Sequence, residues 1–442
     1  MAKTVALHTL GCKLNYSETS TLGGEFHRKG FIINEFGAKS DVFVLNTCSV
    51  TDNADKECRQ IIRSVLNQNP DTYVIVTGCY AQLQPGEIAA IHGVDLVLGT
   101  NEKFRLFDYI ENFEKKKVSC VFTSPVDDIS EFDYAYSSDI DSRTRAFLKI
   151  QDGCDYNCSF CTIPLARGGS RSLPIEKVIE NAKKLLDAGY KEIVLTGVNT
   201  GAYNYRPQIN DNFLQFKLID VLNELDKLNI PRIRISSIEP NLLTDEIIQL
   251  VKSSDNFCKH FHIPLQSGDN EILKLMRRRY NAGFYENLIH KLNIEVPNTG
   301  IGVDVIVGFP GETDERFENT LNFLDTLPVS YLHVFSYSER RNTHAVTLPG
   351  SVDISKRKER SRILRELSNK KRFDFYKRNV GKTYDVLFES VKEDGSSFGF
   401  TENYIKVKAG QSGEFENKIL SAMITGVKSY THAEAGVLYN RW

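Results

Sequence analysis

Between residues 141 and 378 six short apolar segments, RAFLKI, EIVLTG, RIRISS, HFHIPL, GVDVIV and YLHVFS, are separated by amphipathic stretches such as PIEKVIENAKKLLDAG and DERFENTLNFLDTL. A short apolar run followed by a helical period is the pattern of a strand leading into a crossover helix, and its repetition admits parallel strands covered by helices. Eight such units close a barrel. Six predict a partial (β/α)6 barrel, with ligands gathered at the carboxyl ends of its strands.

Residues 1–115 show the same alternation on a smaller scale, with strands VALHTL, DVFVLN, YVIVTG and DLVLG, and predict an amino-terminal parallel α/β unit. Residues 116–140 lose the period, gain Ser and Asp, and read as a linker. Residues 379–442 carry short strands with Gly, Ser and Asn turns and predict a small all-β barrel. The fold class is therefore α/β with a β-barrel appended, and three units suit 442 residues. No apolar run approaches the roughly 20 residues that span a bilayer. The opening MAKTVALHTLGC carries His8 within a stretch too short for a signal core, so a cytoplasmic location without membrane attachment is expected. Nine cysteines in a reducing compartment point to metal before disulfides.

Three of them, Cys154, Cys158 and Cys161, lie in CDYNCSFC just after the first strand of the central unit. Thiolates at this spacing can hold three irons of a 4Fe-4S cluster, whose usual ligation takes four, and leave one iron open. A structural zinc would want a fourth ligand, and the loop offers no nearby His or further Cys. An open iron can be chelated by the amino and carboxylate groups of a methionine-like ligand, so that an electron entering its sulfonium breaks a carbon–sulfur bond. With Phe160 directly before the third cysteine, the segment resembles the radical S-adenosylmethionine (SAM) superfamily. The resemblance implies a 5′-deoxyadenosyl radical that removes hydrogen from unactivated C–H bonds. At later strand ends stand LTGVN, SSIEP, HIPLQSG and VGFPGE. By the same resemblance the Gly197 region would contact the methionine end of SAM, Ser237 and Glu239 its ribose, and the Gly308 loop its adenine side. Each is also readable as an ordinary turn.

Cys12, Cys48 and Cys79 are 36 and 31 residues apart, yet each follows a predicted strand, in HTLGC, VLNTC and IVTGC. The carboxyl ends of parallel strands share one edge of the sheet. The three cysteines can therefore converge on a second three-thiolate site, the alternative being a small buried residue at each strand end. Cys58, Cys120 and Cys258 lack this placement and read as ordinary thiols.

The words TLGCKLN, NTCSVTDNADK and GCYAQ, ahead of the central motif and a carboxyl-terminal β-barrel, resemble the methylthiotransferase family over nearly the whole chain. In that family the last module is called a TRAM domain. The resemblance implies two 4Fe-4S clusters and SAM used twice, once to methylate a sulfur carried by the amino-terminal cluster and once to supply the radical. It also implies an electron donor of flavodoxin or ferredoxin type; it assigns no sulfur source and no catalytic side chain. Substrates in the family are an adenosine at tRNA position 37 bearing a threonylcarbamoyl or an isopentenyl group, and a ribosomal-protein aspartate. The branch acting at C2 of N6-threonylcarbamoyladenosine is the more similar. Lys13-Leu14 and Thr51 stand where the isopentenyl branch more often has Gln-Met and Arg.

A threonylcarbamoyl group carries a carboxylate, for which Arg277, Arg278 and Arg340 are the candidate partners, each equally readable as a phosphate contact. Residues 353–378 predict a long helix with eleven Lys or Arg against four acids, a pattern more common on a solvated face than at a binding site. From 378 to 442 eight basic residues meet eight acids, so an RNA role for the barrel rests on the resemblance. Two other classes stay open: a non-catalytic iron–sulfur RNA-binding protein, and a radical enzyme acting on protein.

Overall fold

The computed structural model describes the chain except for residues 1–2, 50–51, 130–131, 133–134, 137–143, 210–211, 411–414 and 439–442. The amino-terminal unit is a six-stranded sheet: β1 (Thr4–Thr9), β2 (Ile32–Asn34), β3 (Val42–Thr47), β4 (Tyr73–Gly78), β5 (Leu96–Leu98) and β6 (Cys120–Phe122), in the order β2-β1-β3-β4-β5-β6. All pairs are parallel. Alternate residues feed two separate cores, Phe43, Leu45, Val74 and Val76 on one face and Val42, Val44, Tyr73 and Ile75 on the other. That is why β3 and β4 read as unbroken apolar runs. The four strands read from the sequence are all present. β2 and β6 are short, partly exposed edge strands that burial does not mark in the sequence, and β6 lies within the segment read as a linker.

The central unit holds six parallel strands in two triplets. Arg145–Lys149, Glu192–Thr196 and Arg232–Ile235 form one, His260–His262, Gly300–Val307 and Tyr331–Ser336 the other. Bridges between Ile233 and Phe257 and between Ser237 and His262 join them into a single open barrel. Ile193, Leu195, Ile233, Ile235, Phe261, Val303 and Val305 enter the core beneath the surrounding helices. By the period of two, Arg232, Arg234, His260, His262, Asp304, Tyr331 and His333 face inward. Helix α1 (Lys13–Arg28) covers the inner side of the first strand, where Tyr16 meets Phe147 edge-on at 5.5 Å and Glu18 pairs with Lys149 at 3.2 Å.

The basic run becomes the helix Ile354–Lys377, packed on the last barrel strand through Leu364, Leu367 and a Ser368–Leu332 hydrogen bond. Reading it wholly as a solvated face needs correction. Arg357, Arg360 and Lys371 are buried, bonded to Glu339, to Glu312 and Asp314, and to the Leu327 carbonyl. The carboxyl-terminal strands Thr383–Val391, Ser397–Thr401, Lys406–Ala409, Ala433–Val437 and Ile419–Val427 close a five-stranded barrel in that order. Its 401–405 turn plugs the amino-terminal end of the central barrel. Arg232 donates to the carbonyls of Phe400 and Thr401, and Tyr404, at φ +72°, lies 4.6 Å from the His260 ring. A Cβ on Gly300 would fall 2.1 Å from the Asn403 carbonyl oxygen, so glycine there admits the plug.

Candidate active site

Strands β1, β3 and β4 are neighbours in the sheet, and Cys12, Cys48 and Cys79 follow their carboxyl ends. Paired positions Thr9–Asn46 and Thr47–Gly78 put the three thiols along one edge. Two glycines make the approach possible. Gly11 has φ +99°, and a Cβ there would sit 2.8 Å from the Cys48 sulfur; Gly78 has φ +96°, and its Cβ would meet the Thr47 carbonyl oxygen at 2.4 Å. Asn15 ties the loops together, its Nδ2 donating to the carbonyls of Leu10 at 2.9 Å and Thr47 at 3.0 Å. Cys48 and Cys79 are buried. Cys12 keeps accessible surface yet is surrounded by protein, as expected at the wall of an internal chamber, and burial raises its thiol pKa, with the nearby Cys79 adding to the effect.

The central triad occupies a loop between Gln151–Asp152 and the short helix Ile163–Arg167. Gly153, at φ +68°, starts it; a Cβ there would fall 1.9 Å from the Gly169 carbonyl oxygen. The amides of Tyr156 and Ile163 point to the sulfurs of Cys154 and Cys161, both at 3.4 Å, and the Arg278 guanidinium lies 3.1 Å from the Cys158 sulfur. Burial pushes the Cys154 thiol up to about 11 and Cys161 up to about 12.

None of the six cysteines is in a disulfide. Among the described residues no three His, Cys, Asp or Glu side chains converge tightly enough for a single ion, whose thiolates would sit about 2.3 Å away. The central triad, with two amides and a guanidinium turned toward its sulfurs, has the donor set that would suit a cluster with one open iron; the amino-terminal triad offers three thiols along one sheet edge.

Between the triads lies a buried charge network that sequence reading missed. Arg167 bonds Asn15 at 2.6 Å, Glu18 at 2.9 Å and Asp152 at 3.0 Å, while Lys103 and Lys149 add contacts to Glu18 at 2.7 and 3.2 Å. The cations hold both carboxylates well below their usual range despite the burial. Thr162, the residue after Cys161, donates to the carbonyl of Ser49, the residue after Cys48, at 3.3 Å. The two cysteine loops therefore touch.

The remaining sequence candidates separate. Phe160 and Cys161 line a cavity of about 240 Å³ with Thr162, Gln266, Asp304 and Ile306. Gly197 packs on Gln151, which in turn bonds the Gly153 carbonyl; Ser237 accepts from Thr200 at a strand end. Glu239 is ion-paired to Arg278 beside Cys158. Gly308 is dictated by packing, since its Cβ would fall 2.2 Å from Arg357 Cγ. Two arginines read as substrate partners are already engaged. Arg278 is held by Glu239, Tyr280 and Cys158, and buried Arg340 bonds Ser49 and Asp55 of the amino-terminal unit. Arg277 is exposed. Of the other cysteines, Cys58 is buried in the helix Asp52–Gln68, Cys258 is buried 3.9 Å from Glu192, and Cys120 lies on β6.

Residues 148–324 match the radical SAM superfamily, and residues 4–99 match a family described as uncharacterized protein family UPF0004. The threonylcarbamoyladenosine tRNA methylthiotransferase MtaB of Bacillus subtilis is 41% identical over 95% of this chain and 93% of its own length. The chain belongs to the tRNA methylthiotransferase family. Other methylthiotransferases extend the likeness. The Aquifex aeolicus MtaB is 39% identical over 91% of this chain and 96% of its own. The tRNA-2-methylthio-N(6)-dimethylallyladenosine synthase of Staphylococcus saprophyticus is 30% identical over 97% of this chain and 84% of its own. Among solved structures, the cobalamin- and [4Fe-4S]-bound radical SAM methyltransferase TsrM of Kitasatospora setae overlays 76% of the chain and 75% of its own at a TM-score of 0.51 and 14% identity, a likeness of fold. Among the described residues of this methylthiotransferase no helix is long and apolar enough to cross a membrane.

Proposed function

We propose that the chain methylthiolates C2 of N6-threonylcarbamoyladenosine at tRNA position 37, with Cys154, Cys158 and Cys161 as ligands of one 4Fe-4S cluster and Cys12, Cys48 and Cys79 as ligands of a second. The observation that carries this reading is the contact of the two cysteine loops through Thr162 and Ser49, which lets one substrate carbon face both sites. When bound, the clusters and SAM supply the radical and the methylthio sulfur. The chain's own residues do the placing. Arg278 directs a buried positive charge at the Cys158 sulfur and is itself fixed by Glu239. The cavity beside Phe160 and Cys161, lined by Gln266, Ile306 and Tyr337, offers a largely apolar pocket for the adenosyl part of SAM.

The B. subtilis and A. aeolicus relatives named for threonylcarbamoyladenosine support the substrate. Exposed Arg277 is available to tRNA phosphate. A one-electron donor of flavodoxin or ferredoxin type completes the cycle, and a tRNA substrate places the enzyme in the cytoplasm. The test is competition: tRNA bearing threonylcarbamoyl- or isopentenyladenosine is supplied together, and the methylthiolated nucleosides are measured by mass spectrometry. The threonylcarbamoyl nucleoside should gain the methylthio group; preferential turnover of the isopentenyl nucleoside overturns the assignment.

A further inference from the structure

From the end of the last central strand, residues 335–345 form a strap that meets the cavity and both cysteine loops in turn. Phe335, Ser336, Tyr337 and Ser338 line the cavity beside Phe160 and Cys161. Arg357 anchors this stretch, bonding the Tyr337 carbonyl at 3.0 Å and the Glu339 carboxylate at 2.5 Å. Arg340 then crosses to the amino-terminal unit. Its Nη2 donates to the Ser49 hydroxyl at 2.5 Å and to the Asp55 carboxylate at 2.6 Å, and all three residues are buried. Ser49 directly follows Cys48, and its carbonyl accepts from Thr162, which directly follows Cys161. The strap turns at Asn342, φ +66°, beside a 2.7 Å bond from the Thr343 hydroxyl to the Arg340 carbonyl. It returns to the central cysteine loop, where the Ala345 amide donates to the Ser159 carbonyl at 2.7 Å.

Ser49 is thus gripped from two sides, on its carbonyl by the Cys161 loop and on its hydroxyl by the strap. Desolvation offsets much of the attraction within a buried ion pair, so the lasting effect of the Arg340–Asp55 pair is geometric. We propose that Arg340 is a positioning residue for the methylthio transfer: it holds the Cys48 loop in register with the cavity wall, and so sets how the amino-terminal site faces the position where the radical forms. This rests on the proposed cysteine ligands. Arg340 acts through Cys48 and does not touch the substrate. A guanidinium suits the task, because its planar donors fix direction as well as distance, which a lysine ammonium does not.

The test uses the anaerobically reconstituted full chain, with iron per chain as the check that both sites fill. With tRNA bearing threonylcarbamoyladenosine, the methylthiolated nucleoside formed per 5′-deoxyadenosine is measured for the parent, Arg340→Gln, Arg340→Lys and Ser49→Ala. Arg340→Gln should lower this ratio about tenfold to a hundredfold, the effect of misplacing reacting groups by about 1 Å. Ser49→Ala keeps the ion pair and loses one hydrogen bond, and should lower it about threefold to tenfold. Arg340→Lys should recover part of the loss. A second readout needs no turnover: in the chain with Ala at Cys154, Cys158 and Cys161, Arg340→Gln should alter the electron paramagnetic resonance spectrum of the remaining reduced site. Loss of the amino-terminal irons alone in Arg340→Gln also supports the role. A parent-like ratio, a spectrum that the substitution leaves unchanged, or equal loss of iron from both sites overturns it. A chain with the central triad replaced that holds no iron at all removes the ligand reading itself, and the role of Arg340 with it.

Discussion

Glu18 offers the sharpest test of how the two cysteine sites are held together. Its carboxylate is inaccessible and lies 2.7 Å from Lys103, 3.2 Å from Lys149 and 2.9 Å from Arg167, all three cations themselves 1% exposed. With Asp152 the balance is three buried cations to two carboxylates. Glu18→Gln leaves three against one, the situation in which a buried charge loses its partner, and should cost about 3–5 kcal/mol. Lys103→Met leaves two against two and removes a cation whose pKa burial already lowers, so its cost should stay within about 1 kcal/mol. Arg167→Met has the same charge balance but also strands the Asn15 side-chain oxygen at the base of the Cys12 loop, and should fall between, at about 1–3 kcal/mol. Thermal unfolding of the anaerobically reconstituted chain reads the order, with Glu18→Gln lowered by on the order of 10 °C. The sign with pH follows from the depressed carboxylates. Their stabilisation is fully present above the unfolded value near 4.5 and is lost as pH falls toward the folded one, so the gap between parent and Glu18→Gln should be flat from about pH 5 to 8 and shrink below. A Lys103→Met cost equal to that of Glu18→Gln, or a gap that widens on acidification, would refute the reasoning.

Protein reconstituted without oxygen should hold about eight irons per chain, and Ala at Cys154, Cys158 and Cys161 should leave about half; a parent value near four excludes the amino-terminal site. Gly78→Ala, which puts a methyl 2.4 Å from the Thr47 carbonyl oxygen at φ +96°, should lose the amino-terminal irons while keeping the central ones, read by iron analysis. In the same native protein Cys58, its thiol pushed up to about 12 by burial, should resist iodoacetamide at pH 8; rapid labelling would show that its pocket opens.

Much of this molecule was legible from the sequence, because strands that are half or fully buried must alternate or run apolar and crossover helices must carry a period of their own. The six central strands, four of the six amino-terminal ones and the carboxyl-terminal β-barrel were all written in that code. So was the placement of Cys12, Cys48 and Cys79 at the ends of strands that turn out to be neighbours, since a parallel sheet leaves few other places for them. The edge strands Ile32–Asn34 and Cys120–Phe122 are partly exposed, so burial does not mark them in the sequence, whereas the equally short Leu96–Leu98 is fully buried and reads as an apolar run. Charge was the least legible feature. Arg278, Arg340, Arg357 and Arg360 look alike in the sequence to any arginine that meets solvent or phosphate, and only the fold spends them on Glu239, Asp55, Glu339 and Glu312. Glu18, Lys103, Lys149, Asp152 and Arg167 form one network although 149 residues separate Glu18 from Arg167. Local pattern reports which face of an element is buried. Which charges meet once two units close on each other depends on contacts between distant segments, and for Arg340 of the central unit, bonded to Ser49 and Asp55 of the amino-terminal one, that was decided by the tertiary structure alone.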